Sequence, residues 1–364
     1  MNNMIQDMID WIEEHLFEGF SLDKFGAAMG YSSYYCSFKF HQLTGVSIKR
    51  YMALRRLYLA ALSLIETDDK MIDIAIKHGY SSQEAFSRAF KEMFGVSPHT
   101  YRLYPKPLQS YVKLTMNNRK GFYMMDISQK LAITDLQHRI HTHFDHDVLH
   151  ILNGQLMYEE FSSQQLMGKS DYVPFNEAMC VHQTVETIFS DTFNQVRAQG
   201  HQVSLAEYEN ITLAPLQQTL FSKQYRCIVL WFGEDMFCQI NLLTLLAYLE
   251  QIAFEGTIYY HAVQEQSYDV HETEIHLGYY RVIYEAVLLN RSLPAIDMMP
   301  VMYQGIKLFL TLFQNDNEMT KYIQSHHHLP QQELVSNLLR LFPQYGLGDT
   351  QHIALIEATI KRRS

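Results

Sequence analysis

No apolar run in this 364-residue sequence approaches the roughly 20 residues needed to cross a bilayer, so a membrane-spanning role is not expected. The first stretch, Met1 to Glu18, carries acids and no Lys or Arg, unlike a secretory signal with its basic start. A cytoplasmic chain is therefore expected. The four cysteines (Cys36, Cys180, Cys227 and Cys238) are scattered, with no Cys-x-x-Cys pair, which argues against a disulfide framework or zinc knuckle and for reduced, mostly buried thiols. There is no Gly-x-Gly-x-x-Gly, Walker loop, nucleophile elbow or zinc-protease motif. Low-complexity sequence is also absent.

What is present is enough chain for two or three domains, with a hydrophobic fraction of 47% that suits globular cores. The net charge of −10 argues against a nucleic-acid partner until it is mapped. Residues 105–364 carry 18 basic and 27 acidic side chains, whereas residues 21–104 carry 11 basic and 7 acidic. The positive excess sits in one N-terminal region. It is modest and fits a small, salt-sensitive phosphate footprint. Five acids and no Lys or Arg fall in residues 1–20, so the first helix should face away from phosphate.

That region is a duplication. Gly30-Tyr31-Ser32-Ser33 recurs as Gly79-Tyr80-Ser81-Ser82, and Phe40, Gly45-Val46-Ser47 and Tyr51 recur as Phe90, Gly95-Val96-Ser97 and Tyr101. The second copy has one more residue between its glycines. Apolar spacing predicts a first helix over Met4 to Phe17. Ser21 then caps a short helix, Leu22 to Met29, which Gly30 ends. Ser32 caps a second helix running to about Thr44. Short helix, tight turn and second helix make a helix-turn-helix pattern. Gly26, matched by Ala75, supplies the small residue such a crossing needs. Ile48 to Ile65 reads as a linker helix with Tyr51, Leu54, Leu57, Tyr58, Ala61 and Leu62 inward. At about 27 Å it nears the ~34 Å turn of B-DNA. Thr67-Asp68-Asp69 is expected to cap a helix from Met71 to His78. Ser81 or Ser82 then caps a helix to about Phe94, and Ser97-Pro98 opens a last turn.

Residues 4–103 resemble the AraC/XylS family of transcription regulators. The stretch from Ile74-Ala75 through Gly79-Tyr80, Phe86-Ser87-Arg88, Phe90-Lys91 and Phe94-Gly95-Val96-Ser97-Pro98 to Tyr101-Arg102 carries the strongest part of the signature. The resemblance implies an all-α, homeodomain-like double helix-turn-helix domain of seven helices over residues 1–104, with the two units at about 21–45 and 70–95. It implies duplex DNA (a promoter or operator) and RNA polymerase as partners, and a bacterial activator or repressor. This domain usually closes the chain in the family, and here it opens it.

On the first reading helix, Tyr34, Ser37, Phe38 and His41 share one face, against Cys36, Phe40 and Leu43 on the other. On the second, Gln83, Glu84, Ser87, Arg88 and Lys91 face outward, with Ala85, Phe86 and Phe90 inward. Gln and Arg can read adenine and guanine, Glu can accept from cytosine, and aromatics can meet thymine methyls. Such a face on an isolated helix is usually just solvated, but the duplicated context favours DNA. Family members usually have Arg where this chain has Phe38, whereas Arg88 is kept. Two unequal heads and an asymmetric operator are therefore expected. Phosphate contacts are expected from Ser32, Lys49, Arg50, Ser81, His99 and Thr100, with Arg55 and Arg56 also considered.

Tyr104-Pro105-Lys106-Pro107 marks a boundary. Residues 105–146 read as a linker or small β segment, with possible strands over Val112 to Thr115 and Gly121 to Met125. Beyond it, strands (147–152, 172–175, 226–232 and 257–261) alternate with helices (from about 156, 184–199 and 238–252). This predicts an α/β domain over 147–277, Rossmann-like, with a mostly parallel sheet. Residues 278–364 read as a helical C-terminal region. This half resembles a widespread bacterial domain family of unknown function, through Val148 to Gly154, Val173 to Ala178 and Leu230 to Gln239. Relatives tend to have Gly-Asp-Ser after the first strand, where this chain has Gly154-Gln155-Leu156. No activity comes with that resemblance.

Asn153, Gly154, Trp231, Asp235 and Gln239, with Glu234, fall at predicted strand ends, where open α/β sheets bind ligands. The alternative makes Asp235 a helix cap and Gln239 a surface residue. His138, His141, His143, His146 and His150, with Asp145 and Asp147, invite a metal reading, but the spacing matches no standard site and a histidine-rich linker explains it as well. His326-His327-His328 reads as a loop. No metal and no cofactor are expected. The whole reads as a DNA-binding regulator whose C-terminal part senses an unknown small-molecule effector or a partner. The rival is a DNA-tethered enzyme acting on a nucleotide-like or other small molecule.

Overall fold

The computed structural model describes residues 2–115, 127–263 and 270–361. The chain forms two compact units, one of Met1–Phe122 with Thr311–Ser364, the other of Tyr123–Leu310. No described helix is long and apolar enough to cross a membrane.

The first unit opens with α1 (Asn2–Glu14), α2 (Leu22–Met29), α3 (Ser33–Thr44), α4 (Ile48–Glu66), α5 (Met71–Lys77), α6 (Gln83–Phe94) and α7 (Pro98–Leu103). Serines start five of these helices in the same way. Ser21, Ser32, Ser47, Ser82 and Ser97 accept hydrogen bonds from the backbone N–H groups of Lys24, Tyr35, Arg50, Ala85 and Thr100, three residues on. Thr67-Asp68-Asp69 does not cap α5. Its N-cap is Lys70, which makes no side-chain bond, and the Thr67 hydroxyl donates back to Ser63 O instead.

Two hydrophobic cores share one strut. The first gathers Ile5, Met8, Ile9, Ile12, Leu16, Phe25, Cys36 and Phe40 around Ile48, Tyr51 and Met52 of α4. The second gathers Ile74, Ala75, Phe86, Phe90, Phe94 and Tyr101 around Leu57, Tyr58, Ala61 and Leu64 of the same helix. The 19 residues of α4 therefore run through both halves, over about 28 Å at ~1.5 Å per residue. Leu54 and Leu62 of the expected stripe are only half-buried.

The two turns differ by the extra residue of the second copy. Gly30 and Gly79 both adopt left-handed backbone, φ 73° and 79°. Each closes the preceding helix through a paired set of bonds: Gly30 N to Ala27 O and Tyr31 N to Gly26 O, and Gly79 N to Ile76 O and Tyr80 N to Ala75 O. The additional residue falls between turn and cap, Tyr31-Ser32 against Tyr80-Ser81-Ser82, so α3 and α6 are both 12 residues long. The shorter turn draws α3 onto α2. A methyl on Gly26 would stand 2.8 Å from Tyr31 O and 3.0 Å from Ser33 N. Ala75, behind the longer turn, carries that methyl.

The second unit begins with α8 (Ile127–Phe144) and continues with β1 (Val148–Leu152), α9 (Gln155–Ser163), β2 (Asp171–Pro174), α10 (Asp191–His201), α11 (Leu205–Tyr208) and α12 (Ala214–Gln217). It then runs through β3 (Cys227–Gly233), α13 (Met236–Gln251), β4 (Thr257–Val263), β5 (Val270–Ile275), α14 (Tyr280–Tyr284) and α15 (Pro300–Leu312). A π-helical turn, Glu209–Leu213, joins α11 to α12 just before Pro215, which has no N–H to give. The sheet order is β2-β1-β3-β4-β5. The first three ladders are parallel, and β4–β5 is antiparallel. The sheet is thus mixed. Val148, Leu152, Cys227, Val229 and Trp231 pack with Ile133, Leu136 and Ile140 of α8 and Phe161 of α9. Their alternates Leu149, Ile151, Ile228, Leu230 and Phe232 point to the other face and are also fully buried. Helix α13 is buried almost all round, and α15 meets it at Gly305, where a methyl would lie 2.6 Å from Gln239 Cβ.

Three sequence expectations are corrected here. The histidine-bearing part of the supposed linker is a helix, α8, because Ile133, Leu136 and Ile140 line up under the sheet. Val112 to Thr115 has no regular secondary structure, and Gly121 to Met125 lies outside the described residues. The helix expected over 184–199 starts only at Asp191, where Ser190 caps it by accepting from Phe193 N.

The chain's last helices, α16 (Glu318–Ser325), α17 (Gln331–Leu341) and α18 (Asp349–Lys361), belong to the first unit. Phe342 lies on Gly45, the left-handed residue (φ 74°) that ends α3, and Gln109 Nε2 donates to Gln344 O at 3.2 Å. The Gly45 turn therefore has no room for a side chain. At the other tight site, Gly26→Ala should lower the unfolding free energy by about 1–3 kcal/mol, because both close neighbours are backbone. Denaturant unfolding of the full chain measures this, and the reverse change Ala75→Gly should cost no more than about 1 kcal/mol.

Candidate nucleic-acid interface

Helices α3 and α6 each have one face in the core and one outside. On α3, Cys36 and Phe40 are buried, while Tyr34 is 79% and Phe38 50% exposed. Their rings stack nearly parallel, 6.3 Å apart. Tyr31 extends this aromatic surface and packs on Tyr35 at 5.0 Å. Lys39 places its ammonium 5.9 Å from the ring centres of Phe38 and Tyr35 and donates to Gln42 Oε1 at 2.8 Å. His41 is exposed and Ser37 half-buried. On α6, Phe86, Phe90 and Phe94 are buried, Gln83, Glu84, Arg88 and Lys91 are exposed, and Ser87 is half-buried.

Because the helices are equally long and identically capped, positions pair at a constant offset. Tyr34 corresponds to Glu84, Ser37 to Ser87, Phe38 to Arg88 and His41 to Lys91. One head presents an aromatic surface with a single nearby ammonium, the other a polar and charged one. The heads differ in side chains, and the length difference lies in the turns.

Ser32, Lys49, Arg50, Ser81, His99 and Thr100 are all exposed. Ser32 is the cap of α3, and Thr100 Oγ1 lies 2.8 Å from Ser97 Oγ at the start of α7. Helix starts of this kind offer free N–H groups to phosphate. Arg55 and Arg56 are committed to the fold instead. Arg55 is buried, with Nε and Nη2 donating to the two Glu13 carboxylate oxygens at 2.7 and 2.8 Å. Tyr51 OH donates to Glu13 Oε1 at 2.6 Å. Burial pushes the Glu13 carboxyl up, but the bonds from Arg55 and Tyr51 more than offset it and hold it below the ordinary value. Arg56 donates to Leu16 O and Glu18 O. The acidic first helix thus spends one acid on an internal arginine.

The Ser63–His78 pair, which joins α4 to the end of α5 at 3.0 Å, has no signal in the sequence. Fifteen residues separate the partners, so only the packed helices reveal it. Burial lowers the His78 pKa to about 4.

In the second unit the strand order reverses between β1 and β3. At their carboxyl ends Asn153 Nδ2 donates to Cys238 Sγ at 2.9 Å, and Asn153 Oδ1 accepts from Asn241 Nδ2 at 3.0 Å. Gly154 turns the chain with φ 88° and ψ 168° into open space. Asp235 caps α13, accepting from Cys238 N at 2.9 Å. Trp231 and Gln239 lie inside. The Trp231 indole donates to His150 Nδ1 at 3.0 Å, and Gln239 Nε2 donates to Gly233 O and Tyr260 OH at 2.7 and 2.9 Å. Gln239 is therefore a core residue and not a surface one. Just past β2, buried Glu177 binds Arg197, His201 and Tyr208, and these partners hold its carboxyl low despite burial.

A family model described as a helix-turn-helix domain matches residues 25–103. Regulatory protein SoxS of Escherichia coli (strain K12) is 39% identical over 99 residues, which are 27% of this chain and 92% of SoxS. The chain belongs to the AraC-type helix-turn-helix family of transcription regulators. The right origin-binding protein of the same strain is 32% identical over 163 residues, 40% of this chain. The match spans about half, 56%, of that relative's length. Among solved structures, the DNA-binding domain of AdpA in complex with a target DNA aligns at 26% identity and a TM-score of 0.26, over 27% of this chain and 89% of that one.

The buried His78 makes a pH prediction. Unfolded, the ring takes up a proton near pH 6.5; folded, it does so only near pH 4. The unfolded state binds more protons between these values, so stability is lost as pH falls through that window. Between pH 7 and pH 5 this group should account for about 2 kcal/mol. Urea unfolding of the parent and of His78→Gln at both pH values checks it: the variant should lose less stability on acidification by about that amount.

Proposed function

We propose that this chain is a sequence-specific DNA-binding transcription regulator that reads duplex DNA with both helices, α3 and α6, held by the shared strut α4. The observation that carries the reading is the pair of equal, identically capped helices with exposed, chemically distinct faces. In this reading residues 1–104 form the DNA-binding domain. Gln83, Glu84, Ser87, Arg88 and Lys91 contact base edges in one half-site. Tyr34, Ser37, Phe38 and His41 contact the other, with the aromatic pair favouring thymine methyls. Ser32, Lys49, Arg50, Ser81, His99 and Thr100 hold phosphates. The operator is asymmetric, RNA polymerase is the downstream partner, and the protein works in the cytoplasm.

The α/β half, residues 147–277, senses a small effector at the β1–β3 crevice. The parallel order β2-β1-β3-β4, reversing at that point, supports a Rossmann-like reading of this half and of the crevice as its ligand site. Asn153, Gly154 and Asp235 would line the crevice, while Trp231 and Gln239 form the wall behind it.

The Gln83→Ala, Arg88→Ala double variant tests the DNA reading. Binding to a duplex selected from a random pool should weaken at least roughly ten-fold, since each lost base contact is worth about 1–3 kcal/mol. The salt dependence should persist, because phosphate contacts survive. Unchanged affinity would remove α6 from readout.

The effector reading is tested by a thermal-shift metabolite screen of the full chain. A compound that raises Tm and also changes operator affinity supports it. Turnover of that compound would favour an enzyme.

A further inference from the structure

We propose that the carboxyl end of α8 is a binding site for one divalent transition-metal ion of the zinc type, held by His141, Asp145 and His146. The structure brings these three together out of the seven His and Asp residues clustered in sequence from 138 to 150. Their ligand atoms all lie within 4.8 Å of one another. His150 is excluded, since it is buried beneath Trp231 and Tyr172.

The local backbone builds the arrangement. Asp145 ends α8 in left-handed conformation, φ 52°. Its N–H donates to His141 O at 2.8 Å, and its carbonyl accepts from His141 Nδ1 at 2.9 Å. That pair of bonds clamps the imidazole on the turn and sets its tautomer. A ring that donates from Nδ1 presents a lone pair at Nε2 when neutral. Metal-binding histidines are commonly fixed in this way, by a carbonyl on the far nitrogen. His141 Nε2 then faces Asp145 Oδ1 at 3.9 Å, and His146 Nε2 approaches the same oxygen at 3.4 Å. Two electron-rich atoms set toward each other repel unless a proton or a cation lies between them. In a tetrahedral zinc site, with bonds of about 2.0–2.1 Å, neighbouring ligand atoms stand roughly 3.3 Å apart. The separations here need only a small closure of exposed side chains. The fourth position would be open to water or a ligand.

Two imidazoles and one carboxylate suit zinc, cobalt, nickel or copper and not magnesium or calcium, which prefer all-oxygen shells. A bound ion would also tie the end of α8 to the residue leading into β1.

The test is calorimetric titration of Zn²⁺ into the full chain, tag removed and chelator-stripped. We compare the parent, a His141→Ala, His146→Ala double variant, and His327→Ala as a control in the other histidine cluster. The expected result is one ion per chain at micromolar affinity or tighter, kept in the control and weakened at least roughly ten-fold in the double variant. Zn²⁺ should raise Tm in the parent and not in the double variant, while millimolar Mg²⁺ does neither. His146 is exposed, but His141 is half-buried and bonds to the Asp145 carbonyl, so the Zn²⁺ shift in each protein is read from its own metal-free Tm. No binding in the parent, or equal binding in the double variant, would overturn the proposal.

Discussion

Both reading heads depend on a single residue of left-handed backbone. Gly30 and Gly79 each reverse the chain after a short helix, and the paired bonds across that residue set where the next helix starts. A side chain at these φ values is strained, so glycine is the simplest solution. The rest is a consequence of how much chain follows the turn. With one residue fewer, the first head presses α3 onto α2 until only Gly26 fits, while the second head tolerates Ala75. From the serine caps onward the two heads run in step, and they differ both on their outer faces and inside, where Cys36 and Thr44 stand opposite Phe86 and Phe94.

Much of this was legible because local chemistry marks it. The starts of α2, α3 and α7 follow from serine, or serine with proline, ahead of apolar spacing at helical period, and Ser81 or Ser82 places the start of α6 to within a residue. The inward faces of α3 and α6 follow from Cys36, Phe40, Phe86 and Phe90. What was not legible depends on partners distant in sequence. Arg55 looks like any surface cation until Glu13, 42 residues earlier, is seen to take its guanidinium. Trp231 lies within β3 and Gln239 in the first turn of α13, and His150, Tyr260 and the Gly233 carbonyl hold both inside. The strand β5 pairs only on one side, to β4, and its His271, Glu272, Thr273 and Glu274 give it none of the apolar signal of a buried strand. Helix α8 is masked in the sequence because its histidines and other polar residues dilute the apolar period of Ile133, Leu136 and Ile140.

The division of the chain is less simple than its order. The last three helices return to the unit that holds the reading heads, and Phe342 closes over Gly45 at the end of α3. A chain that enters the α/β unit after the helix-turn-helix segment and comes back from it has two covalent connections between them. Any signal received by the α/β half has two covalent routes to the heads: the segment ahead of α8, and α15 leading into α16. Each head has its own core, and both cores are built on α4.

In the proposed function α4 holds two unlike heads over successive major-groove segments of one duplex. Hydroxyl-radical footprinting of the full chain on its selected site tests this most directly. Two protected stretches are expected on one face of the helix, centred about 10 base pairs apart, of different base sequence, with one chain bound per site. A single protected stretch, or a palindromic pattern requiring two chains, would contradict it.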